Sequence, residues 1–145
     1  MKWFKFLIYF GLFAGAAWNA LSAIGFLTGS IYDGQAKLVY RFFDGLQTLD
    51  MIAGIGLLVT AALGIIARFR LSGYRKNGST ILNCVYLCVA IVQLIYIIGI
   101  YVILPESAHE ALEFSSAYAS IAVSIAMVSV NTTYFKKRAH LFVNN

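Results

Sequence analysis

Four long apolar stretches, at about residues 6–29, 46–67, 81–104 and 108–134, alternate with five short polar segments along this chain. A helix that crosses a bilayer needs about 20 mostly apolar residues, because the hydrocarbon core is roughly 30 Å thick. Three of the stretches reach that length on apolar residues alone. The second is shorter between Met51 and Ala67, and draws in Leu46 and Leu49 at one end. All four are too long and too continuous for soluble strands. The pattern predicts an all-α integral membrane protein, a four-helix transmembrane bundle forming one domain over residues 1–145.

The segments between the spans are not uniform. From 36 to 46, Leu38, Val39, Phe42, Phe43 and Leu46 recur at three- and four-residue spacing against Lys37, Arg41 and Asp44. That periodicity predicts a short amphipathic helix at the interface, or an extension of the second span. Pro105 ends the third span, and Ser107 with Glu110 has the capping-box spacing that starts a helix. Gly73 and Gly78 mark an ordinary turn between the second and third spans.

Charge adds an orientation. The first, third and fifth polar segments carry Lys2, Lys5, Arg68, Arg70, Arg75, Lys76, Lys136, Lys137 and Arg138, with no carboxylate. The second and fourth carry every acid: Asp33, Asp44, Asp50, Glu106, Glu110 and Glu113. Basic residues concentrate in cytoplasmic loops, so both termini are expected in the cytoplasm. At 61% apolar and 12% charged, the 145 residues leave no stretch for a soluble catalytic domain. The net charge of +5 is split among three segments facing anionic headgroups, so the lipid bilayer rather than nucleic acid is the partner it implies. Compact size and bare loops point to a plasma membrane, and to a bacterial inner membrane in particular.

Small residues mark expected packing faces. Gly11, Gly15, Gly25 and Gly29 step along the first span, and Gly56, Thr60 and Gly64 along the second. In lipid such rows let helix backbones approach, where apolar surface alone gives no drive. The third span lacks a comparable row and suits a lipid-facing or loosely packed position.

Candidate chemistry is sparse. Asp50 precedes an uninterrupted apolar run, and an ionisable group inside a membrane is by default a functional candidate. Its bland alternative is a carboxylate near the positive end of a helix dipole. Asn19, Gln93, Ser116, Ser120 and Ser124 are uncharged polar groups within the spans; convergence of these would form a narrow neutral interior. Glu106, His109, Glu110 and Glu113 share one helix face on the acidic side, a set able to hold a divalent metal or sense pH. Exposed acidic faces are common, and no metal site or cofactor is assigned. Cys84 and Cys88 read as small buried hydrophobes.

These residues point to a non-enzymatic protein, an oligomeric channel or transporter with a neutral polar interior. The alternative is an accessory or regulatory subunit of a larger membrane complex. A membrane enzyme ranks third, since no nucleophile–base pair is visible. The expected protein partners are accordingly further copies of the chain or a larger membrane protein.

Overall fold

The computed structural model describes residues 2–109 and 115–144, and Glu110 and Glu113 lie outside them. Among the described residues the chain is helical without a named strand. Four long apolar helices dominate: α1 (Lys2–Thr28), α3 (Leu46–Ser72), α4 (Gly78–Ile103) and α6 (Ser115–Lys136). Two short ones lie between them, α2 (Ala36–Phe42) and α5 (Glu106–His109). At about 1.5 Å per residue, each long helix exceeds the hydrocarbon thickness.

Helix ends follow hydrogen bonding rather than the edge of the apolar run. α3 continues past Ala67 to Ser72, so Arg68 and Arg70 belong to the helix. Arg68 stays close to the apolar surface by laying its guanidinium 4.3 Å from the Phe13 ring centroid, a cation–π contact that offsets part of its desolvation. α1 starts at the second residue and contains one π turn, Leu7–Gly11. It stops at Gly29, whose φ of 71° is the left-handed conformation that closes many helices.

The amphipathic segment forms α2, but it is not continuous with α3. The chain becomes extended at Phe43 and turns through Gly45 before α3 begins. Arg41 and Asp44 therefore do not share a helix face.

The long helices pack in chain order: α1 on α3, α3 on α4, and α4 on α6. Here α4 departs from the sequence reading. It lies between α3 and α6, and its Gly99 sits directly against the Leu49 side chain. A lone glycine placed opposite a leucine serves the same purpose as a repeated row, and no periodicity announces it.

Both chain ends meet at the basic end of the bundle. Phe4, Phe135 and Phe142 pack edge to face, with ring centroids 5.3–6.4 Å apart. Leu7, Leu71 and Leu82 complete this cluster and are almost fully buried. After α6 the tail turns back, and Asn144 is bound to the α3–α4 turn: its Nδ2 donates to the Gly73 carbonyl at 2.8 Å.

Candidate functional site

Two features stand out, a groove between the first and last helices and a buried carboxylate at the acidic end. The groove exists because α1 and α6 are not packed along their length. Near the basic end they are drawn together by the phenylalanine cluster and by Trp3, whose Nε1–H donates to Asn131 Oδ1 at 3.4 Å. Toward the acidic end they part. The space left has a volume of about 700 Å³ and is walled by α1 and α6, with α3 and α4 behind.

Asn19 of α1 and Ser116, Ser120 and Ser124 of α6 all line it. Gln93 does not; it sits half-buried elsewhere on α4. Among the described residues, no Asp, Glu, Lys, Arg or His side chain lines the groove. Small residues widen it: Gly15 has no atom within 4 Å of where a Cβ would stand, so this glycine borders open space rather than a helix. Ser124 is 4% exposed, and among the described residues its hydroxyl has no hydrogen-bond partner. Thr60 differs, because its hydroxyl is satisfied by the Gly56 carbonyl of its own helix at 2.8 Å.

The other glycines divide by role. Gly64 meets Ala16 and Leu12 of α1, and Gly56 meets Val92 of α4, so both bring helices together. Gly54, outside the predicted row, lies against Leu27 and the Ala23 carbonyl, closer to α1 than Gly64 does. Gly11 meets only its own helix; Gly25 accommodates Ile31 of the connecting segment, and Gly29 accommodates Ala36 and Tyr40 of α2.

Asp50 is 0% exposed, one turn into α3. Tyr32 donates its hydroxyl to Asp50 Oδ2 at 2.8 Å, and Tyr40 donates to the same oxygen at 2.9 Å. Oδ1 is buried and has no hydrogen-bond partner among the described residues. Tyr96 of α4 borders the group, and Leu46, Leu49 and Ile100 form its apolar surround. The carboxylate thus fastens the loop after α1 and helix α2 onto the bundle. Burial, then Tyr96 and Asp50, raise the Tyr32 phenol above its ordinary range. Tyr40 is pushed up to about 12 by burial and by its bond to Asp50. Tyr32 and Tyr40 are spaced as ordinary interfacial aromatics, and nothing in the sequence links them to Asp50.

The acidic face has less structure to report. Glu106 and Ser107 are exposed, and the His109 ring lies 4.6 Å from that of Tyr101. Asn131 is fully buried and bonded to Trp3, while Asn83 Nδ2 donates to Thr132 Oγ1 at 2.9 Å. These two amides join helices near the basic end, away from the groove.

Comparison with protein-family models, curated proteins and solved structures found no match for this chain. Any functional reading therefore rests on the groove and the carboxylate themselves.

Proposed function

We propose that this is a non-enzymatic membrane protein that holds an uncharged, membrane-soluble molecule in the groove between α1 and α6, with both termini in the cytoplasm. One observation carries the reading: a space of about 700 Å³ bounded by all four long helices and bearing, among the described residues, amide and hydroxyl groups but no ionised side chain. Ligand pockets commonly measure about 300–1,000 Å³ and are mainly apolar, with a few polar groups that set orientation. An ion entering this groove would lose its hydration without meeting a counter-charge, which costs several kcal/mol or more. Neutral molecules escape that penalty.

A pore running through one protomer is the weaker reading. The Phe4, Phe135 and Phe142 rings and the Trp3–Asn131 contact join α1 to α6 at the basic end. A groove between α1 and α6 that is joined at the basic end suits a binding or transfer protein better than an open channel. Asp50 belongs to the frame in this reading, because both its phenolic donors come from the connecting segment rather than from the groove.

Thermal unfolding in detergent tests the proposal with a panel of uncharged and charged amphiphiles of similar size. A ligand specific to the folded state raises Tm. Uncharged members should stabilise the wild type and lose that effect in Gly15→Trp, which fills the groove. Stabilisation by charged members alone, or equally in wild type and variant, would overturn it.

A further inference from the structure

The groove is not evenly polar along its length. Counting at about 1.5 Å per residue from Ser115, the first described residue of α6, Ser116 lies within about 2 Å and Ser120 about 8 Å further down the helix. Ser124 lies about 14 Å down α6, and Asn19 is at a similar depth in α1. Below them the lining turns apolar: Ala16, Leu12 and Gly11 on α1, Gly64 on α3, Val89 and Val85 on α4. Gly11 is about 25 Å from the acidic end of α1. The deep polar side chains are Thr60, whose hydroxyl is satisfied, and Tyr86. The serine hydroxyls and the Asn19 amide thus occupy the upper half, and the lower half is hydrocarbon apart from Thr60 and Tyr86.

A slot open sideways to lipid cannot stay empty. An unfilled gap loses dispersion contacts along its whole lining, and water does not settle in the lower half, where it would find too few polar partners. We propose that the occupant is one acyl chain of a glycerolipid from the leaflet at the acidic end. Its uncharged ester region meets Ser116, Ser120 and Asn19, and its methyl end reaches down to Gly11 and Val85. Ser124, more than nine-tenths buried and without a hydrogen-bond partner among the described residues, is the deepest of the α6 serines in the lining.

The basic-end leaflet is a poorer source. The aromatic cluster closes that end, and a chain entering there would place its ester against Leu12 and Val85. Lipid tails are as apolar as the wall, so transfer of the chain alone contributes little. Preference comes from the polar contacts and from filling the slot. The inference rests on the proposed binding role and names its ligand.

Two photoreactive phosphatidylcholines test it in nanodiscs, one with a diazirine at the chain terminus and one with it beside the ester. The terminal probe should label peptides spanning 11–16 and 85–89, and the ester-proximal probe 116–124. Gly15→Trp should cut both signals at least fivefold, with labelling at the exposed Ile95 and Ile98 unchanged. Gly15 has free space around it, and Ser120→Leu provides a second blocked variant should the tryptophan disturb folding. Labelling without depth order, or unaffected by both variants, overturns the inference, as do cross-links showing a helix of another copy in the groove. Aqueous N-ethylmaleimide applied to Ser120→Cys in a Cys84→Ala, Cys88→Ala background separates the two levels. Rapid modification without lipid labelling rejects the acyl chain but leaves a pocket for water-soluble neutral molecules. No modification and no labelling reject both.

Discussion

The two ends of the bundle are closed by different physics. At the basic end, residues more than a hundred positions apart, Phe4 with Phe135 and Phe142, meet through aromatic packing, and Asn144 ties the returning tail to Gly73. At the acidic end, a single carboxylate gathers two phenols from the connecting segment. The first device joins the first helix to the last; the second joins α3 only to its neighbours in sequence. That difference explains the groove. Among the described residues, neither Asp50 nor its phenolic partners join α1 to α6, so these two helices are held together by the basic-end device alone.

The largest expected effect is at the aromatic cluster. Phe135→Ala removes a buried ring, and such truncations cost about 3–5 kcal/mol. Unfolding in mixed micelles should show this loss, with cross-linking between engineered cysteines on α1 and α6 also weakened at the basic end. Retention of both would mean that the cluster does not hold the helices together.

Asp50→Ala strands the hydroxyls of Tyr32 and Tyr40 together, at about 1–3 kcal/mol for each group left without its partner. Proteolysis within 30–45 should accelerate while contacts at the basic end persist. Asp50→Asn, which keeps an acceptor oxygen, should lose less. Equal sensitivity of the two variants would show that an acceptor at this position is unimportant.

Alkaline pH distinguishes the ends without mutation. Tyr32 and Tyr40 hold their protons more tightly in the fold than in the unfolded chain, where a phenol titrates near about 10. Their stabilising contribution is therefore complete below about 10 and declines as pH rises through the Tyr40 value of about 12. Hydrogen exchange of the 30–42 segment should increase over that interval in the wild type and not in Tyr32→Phe, Tyr40→Phe. The smallest effect belongs to Trp3→Phe. It removes one interhelical hydrogen bond of a kind averaging about 0.6 kcal/mol in membranes. A loss of several kcal/mol there would show that the Trp3–Asn131 pair, rather than the phenylalanines, closes the basic end.

Much of the frame was legible beforehand. Four spans, the amphipathic α2 and the opposed charge of the two ends follow from composition and periodicity. Within the groove, Asn19 and the α6 serines stood out because polar side chains are few among apolar neighbours. The role of Gly15 did not, since spacing records where small residues occur but not whether a helix lies opposite them. Gly54 and Gly99 were equally silent, because each matters through one facing side chain on another helix. Tyr32, Tyr40 and Phe142 looked like interfacial or terminal residues; only the returning chain gives them partners.

By itself the sequence determined that the chain forms four membrane-length helices with acids at one end and bases at the other. Length and hydropathy are properties of each segment alone, and a bilayer leaves helix as the available way to satisfy their backbones. Tertiary structure decided which small residues pack and which leave space, that Asp50 anchors a connecting segment, and that α1 and α6 part on the acidic side. Those outcomes depend on contacts between distant positions, where one leucine opposite one glycine, or one ring beside another, sets the separation of whole helices.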